Sequence, residues 1–109
     1  MKFDVTKKGV FSIIHLQEDI DSSNSALFDS LLETKILSGE NAIIIDMTGV
    51  NFLDSSGATV LVRNYKMLQE SGGIIILAGC NPLIMKLFSI LGFNKYFRIT
   101  STLEEALLI

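Results

Sequence analysis

"NAIIIDMTGVNFLDSSGATVLV", residues 41–62, runs a strand, a loop and a helix together without a break. Ala42, Ile43, Ile44 and Ile45 form a continuous apolar segment bounded by Asn41 and Asp46. Three β-branched isoleucines in such a run predict a strand covered on both faces. Polar residues follow, then the apolar pair Phe52 and Leu53, and then Asp54-Ser55-Ser56-Gly57. From there Ala58, Leu61, Tyr65 and Leu68 keep helical spacing until Ser71-Gly72-Gly73 ends the element. A strand buried on both sides requires helices on both faces of its sheet.

The same alternation extends in both directions. "MKFDVTKKGVFSIIHLQ" reads as a hairpin around Lys7-Lys8-Gly9, because Phe3 and Val5 alternate before the turn and Val10, Ser12, Ile14 and Leu16 after it. In "DSSNSALFDSLLETKILSGE", Ser22 or Ser23 is the expected cap of a helix whose Leu27, Phe28, Leu31 and Leu32 share a face, with Gly39 at its end. "GIIILAG" repeats the buried-strand pattern. Asn81-Pro82 opens a further helix, Asn81 as cap and Pro82 in the first turn, and Gly92 stops it. "KYFRI" reads as a last short strand. "STLEEALLI" reads as a terminal helix capped by Ser101 or Thr102, with Glu104 and Glu105 in its first turn. The expectation is an α/β fold over residues 1–109: one domain, with a mostly parallel mixed sheet of about five strands, opened by a hairpin, and about four helices.

Composition narrows the function. With 49% hydrophobic and 19% charged residues, the 109-residue chain has ample material for one packed core. A net charge of −3 without a Lys/Arg stripe argues against nucleic acid as a partner. Cys80 is the only cysteine and His15 the only histidine, too few for a disulfide or a zinc site, and no metal or cofactor is expected. No stretch reaches membrane-spanning length and no signal peptide is evident, which suits a cytoplasmic protein without membrane insertion. Serine hydrolysis is not expected, because His15 lies inside an alternating strand and no G-x-S-x-G elbow is present. A receiver domain is suggested by Glu18-Asp19 and Asp46. It is disfavoured because the first strand belongs to a hairpin and no lysine follows a late strand.

At the strand-to-helix junction, Asp54 or Ser55 caps the helix and Gly57 allows close packing. A hydroxyl there also lies beside the positive end of the helix dipole, where a phosphate is stabilised. Asp21, after the second strand, occupies a similar junction. The helix "PLIMKLFSILGF" is apolar nearly all round. It is expected to be mainly core, with one flank available to a partner.

The Asp-Ser-Ser-Gly motif in a chain with this element order resembles the STAS domains, and specifically the small anti-sigma factor antagonists. The likeness runs over essentially the whole chain, through "LQEDIDSSNSALF", "IIIDMTGVNFLDSSG" and "LQESGGIIILAGCNPLIMKLFSILGF". The resemblance implies that Ser55 is a phosphoacceptor, with Asp21, Asp54, Ser56, Gly57 and Thr59 forming its surroundings and the partner contact. It implies no catalysis by this chain, but partner switching: binding to an anti-sigma factor that is also a serine kinase, release on phosphorylation, and resetting by a serine phosphatase. The alternative within the family is a subunit that docks on the ATPase of a lipid or anion transport complex without a phosphate cycle. Two departures from the family pattern stand out. Ala58-Thr59 stand where a Leu-Gly pair is usual, and Glu18 where a glycine is common.

Overall fold

A computed structural model describes residues 1–109. The elements are β1 (Phe3–Lys8), β2 (Phe11–Leu16), α1 (Ser25–Leu37), β3 (Ala42–Asp46), α2 (Ser55–Glu70), β4 (Ile74–Ala78), α3 (Pro82–Ile90), a 3-10 turn (Phe93–Lys95), β5 (Arg98–Thr100) and α4 (Leu103–Leu107). The expected α/β architecture is present. Its five strands lie in the order β1-β2-β3-β4-β5, antiparallel within the opening hairpin and parallel elsewhere.

Strand order therefore equals chain order. Right-handed crossovers that always step the same way across a sheet place their helices on one face, and α1, α2 and α3 accordingly share a layer. Ile14, Leu16, Ile43, Ile45, Ile75 and Leu77 point into that layer and meet Phe28 and Leu32 of α1, Leu61 and Leu68 of α2, and Ile84 and Phe88 of α3. The alternate residues Phe11, Ile13, Ala42, Ile44, Ile76 and Ala78 face the other way, toward Ala106, Leu103 and Leu107 of α4. Both faces are covered as the isoleucine runs require, three helices against one. The α1–α2 pair is fastened laterally: Arg63 reaches Asp29 at 3.1 Å and also Glu33, and the buried Asn64 donates from Nδ2 to Asp29 Oδ1 at 2.8 Å.

Three expectations change. Helix α1 starts at Ser25 with Asn24 as its N-cap residue, not at Ser22 or Ser23. Asp21 first closes a turn, its Oδ1 accepting the Ser23 N–H at 2.8 Å, and the chain needs that turn before it can enter the helix. The last strand is Arg98–Thr100 and does not include Tyr96 or Phe97. The preceding residues are drawn into a 3-10 turn because Phe93 stacks on Phe88 at 4.9 Å and Phe97 packs on Phe93 at 5.1 Å. Helix α3 buries only Ile84 and Phe88, leaving Leu83, Met85, Ile90 and Leu91 exposed. It lies at the outside of its layer, and no element covers its far side. Cys80 is partly buried, and that burial pushes its thiol pKa up to about 12.

Phe28 is fully buried between α1 and the sheet. Phe28→Ala should lower unfolding free energy by about 3–5 kcal/mol, the cost of removing a buried aromatic ring and leaving a cavity. Urea denaturation measures this.

Candidate functional site

Two loops meet at the carboxyl ends of β2 and β3, and their junction organises the site. Ile20 and Leu53 form an isolated parallel bridge, with the Ile20 N–H donating to Phe52 O at 3.1 Å and the Asp54 N–H donating to Ile20 O at 3.1 Å. Asp19 reinforces it, since its Oδ1 accepts the N–H groups of Asn51 at 2.8 Å and Phe52 at 3.0 Å. The loop carrying Asp21 is thereby tied, one residue away, to the loop carrying Asp54.

Gly57 lets the helix approach this bridge. A Cβ there would lie 2.8 Å from Ile20 Cγ2 and 2.9 Å from Leu53 Cγ, closer than carbon atoms tolerate. The glycine serves contact, not an unusual backbone conformation.

Asp54 is the N-cap of α2. Its Oδ1 accepts the N–H groups of Ser56 at 2.9 Å and Gly57 at 3.2 Å, together with the Ser56 hydroxyl. Its carbonyl oxygen accepts the Ala58 N–H at 3.0 Å. The Ser56 hydroxyl, aided by the backbone N–H groups of Gly57, Ser56 and Ser22, holds the Asp54 carboxyl below the usual carboxylate range. Ser56 is thus committed to the cap. Ser55, the first helical residue, is exposed. Thr59 stands one turn further along the exposed side, its hydroxyl donating to Ser55 O at 2.9 Å.

Sequence reasoning missed several supports. Glu18 accepts the Lys2 N–H at 3.0 Å and the Asn24 Nδ2 at 2.7 Å, joining the N-terminus to the Asp21 loop. The Asn24 contact chiefly lowers its pKa. Asn81, expected only as a cap, accepts the Ile84 N–H at 2.8 Å and donates to Asn51 O at 2.9 Å, linking the start of α3 to the β3–α2 loop. Asp46 is paired with His15, Oδ2 to Nδ1 at 2.7 Å, and its Oδ1 accepts the Thr48 N–H and hydroxyl. Burial opposes ionisation of Asp46, but the bonds from Thr48 and His15 outweigh it and the carboxyl pKa is lowered. Asp19 binds backbone amides and Asp46 binds His15, so the acids that suggest a receiver pocket are separately engaged.

Beside Ser55 an apolar groove of about 510 Å³ opens between α2 and α3. Phe52, Val62, Leu83, Leu87 and Leu91 line it, and Asp54, Ser55 and Thr59 lie at its upper end. No periodicity argument on a single helix could find it, because its walls come from two.

Comparison with known proteins adds four findings. The family model of the STAS domain matches residues 2–106. The anti-sigma-B factor antagonist of Listeria monocytogenes serovar 1/2a is 27% identical over 92 residues, 84% of this chain and 81% of that protein. Among solved structures, an anti-sigma factor antagonist from Mycobacterium paratuberculosis superposes with a TM-score of 0.89 at 22% identity, covering 98% of this chain and 91% of the other. The Bacillus cell fate determinant SpoIIAA in its phosphorylated form superposes with a TM-score of 0.77 at 24% identity, covering 97% and 96%.

Two outcomes follow from the junction. Gly57→Ala should lower stability by about 1–3 kcal/mol, the usual cost of overpacking, with NMR shift changes concentrated in residues 19–21 and 52–54. A carboxyl whose folded pKa is depressed contributes stability above its unfolded pKa and loses it as pH falls through the folded value. Wild-type stability should therefore decline below about pH 4, and Asp54→Asn should show less of that decline in urea titrations run at a series of pH values.

Proposed function

The chain belongs to the STAS domain family, and on that premise we propose that it is an anti-sigma factor antagonist switched by phosphorylation of Ser55. One observation carries the choice of residue. Of the two adjacent serines, Ser56 has its hydroxyl bound to the Asp54 carboxylate, whereas Ser55 is exposed at the first position of α2.

In the unphosphorylated state, the surface around Ser55 combines a small neutral hydroxyl with the apolar groove. An anti-sigma factor with serine kinase activity binds this surface and releases its sigma factor. The same partner transfers the γ-phosphoryl group of ATP to Ser55 Oγ. ADP leaves, and a base on the kinase takes the hydroxyl proton. The chain is then substrate, not catalyst.

The added group carries about −1.5 to −2 charges. At this helix start the dipole's anion position is already held by Asp54, whose Oδ1 takes the N–H groups of Ser56 and Gly57. The phosphate must therefore stand outside the cap, next to Asp54 and the Asp21 loop. The new charge falls on the binding surface and leaves the fold in place. A penalty of about 3 kcal/mol on the complex weakens it by more than a hundredfold. A serine phosphatase restores the neutral surface. Gly57 and Asp21 act through geometry, one permitting and one shaping the loop junction. Thr59 adds its methyl and hydroxyl to the contact face where the family usually has glycine.

Incubation with ATP and the serine-kinase anti-sigma factor encoded nearest to this chain should add one phosphoryl group by intact-mass spectrometry. Ser55→Ala should abolish the gain and Ser56→Ala should retain it. The phosphorylated protein should bind the anti-sigma factor more than a hundredfold more weakly in calorimetry. A kinase active on another substrate that leaves the wild type unmodified would overturn the switch and favour a fixed docking subunit.

A further inference from the structure

We propose that the α2–α3 groove is a self-association surface, in which a second copy of this chain docks antiparallel about a two-fold axis. The groove walls are strongly exposed for apolar residues: Leu83 is 60% and Leu91 44% accessible, and Phe52 at the upper rim is 48% accessible. Val62 lines both this groove and a smaller cleft formed with Tyr65, Lys66 and Tyr96, so the two adjoin along α2 at Val62. Contiguous exposed apolar surface of this kind marks an interaction site.

Charge selects the occupant. The upper end of the groove carries Asp54, with Asp21 and Asp19 on the loop bridged to it. The adjoining smaller cleft carries Lys66, and the exposed Lys95 precedes its Tyr96 in the chain. None of these five groups takes part in an ion pair; the chain's pairs involve Lys7, His15 and Arg63 with Glu40, Asp46, Asp29 and Glu33. A two-fold interface joins the same patch on both copies. Antiparallel docking sets the acidic end of each groove on the lysine-bearing cleft of the other, twice, while the leucine-lined walls meet. Parallel docking would set acid on acid. A chain of net charge −3 repels its copies on average, so association depends on this particular alignment.

The pairing covers Ser55 in both copies. It stands independently of the phosphate switch. If both hold, the self-associated form shields Ser55, and partner and second copy compete for one surface.

Sedimentation equilibrium of the purified full chain should show a reversible dimer with Kd of about 10 μM to 1 mM, the range of a small transient interface. Leu87→Asp should weaken it at least tenfold. Lys66→Glu combined with Lys95→Glu alters exposed side chains only and should act in the same direction with an unchanged thermal melt. Ile90→Asp, at a position 74% exposed but outside the groove lining, should leave Kd within twofold. A monomer at all concentrations would overturn the proposal, as would an Ile90→Asp effect equal to that of Leu87→Asp. Binding of the anti-sigma factor by a chain that never pairs with itself would also overturn it and assign the groove to that partner. Loss of phosphorylation at Ser55 would leave the sedimentation result untouched.

Discussion

A single pair of backbone hydrogen bonds, Ile20 N–H to Phe52 O and Asp54 N–H to Ile20 O, joins the Asp21 loop to the start of α2, where Ser55 stands. The bridge is short, but both of its central residues, Ile20 and Leu53, are buried to within 1%. The bonds are therefore shielded from water, where breaking them would leave polar groups unpaired. Asp19 adds two charge-assisted bonds from the same side. Gly57 closes the junction by having no Cβ to keep α2 away. With the bridge in place, the direction of α2 and the exposure of Ser55 are set together.

The winding of the chain decides where this junction can be used. In a sheet whose strands reverse order, a crevice opens between helices that leave to opposite faces. The present order β1-β2-β3-β4-β5 contains no such reversal among its parallel strands. Its three crossover helices lie side by side, and the seam between the last two forms an apolar concavity. That seam is apolar because α2 and α3 both turn leucine and valine side chains into it, and no further helix covers them.

The opposite side of the β3–α2 loop is secured by polar bonds. His15, Asp46 and Thr48 connect β2, β3 and the loop in sequence, and Thr6 Oγ1 lies 2.9 Å from the remaining ring nitrogen of His15. Asn81 fastens the loop to α3. The loop before Ser55 is thus tied to the sheet, to α3 and to the Asp21 loop. Under the proposed switch, a phosphate added at Ser55 would meet a fixed surface, and its effect would fall on recognition instead of local unfolding.

Much of this was legible in the residues. The isoleucine runs at 43–45 and 74–76 called for a sheet covered on both faces, the Lys-Lys-Gly turn for a hairpin, and Asp54 or Ser55, and Asn81, for helix caps. These are local or periodic properties, set by the dihedral preferences and burial of neighbouring residues. The cap at Asn24 and the late start of the last strand were not legible, because whether Asp21 closes a turn on Ser23 ahead of the helix, and whether Phe93 packs on Phe88 and Phe97, is not decided by the spacing of apolar residues. The resemblance carried by the Asp-Ser-Ser-Gly motif pointed to Ser55 over Ser56, but that the Ser56 hydroxyl is bound and Ser55 exposed is seen only in the structure. That distinction depends on the Asp54 carboxylate turning toward Ser56. The groove lay further out of reach: whether Leu83, Leu87 and Leu91 face core or solvent depends on which elements pack beside α3. That packing is fixed by strand order and crossover hand, which no window of sequence contains.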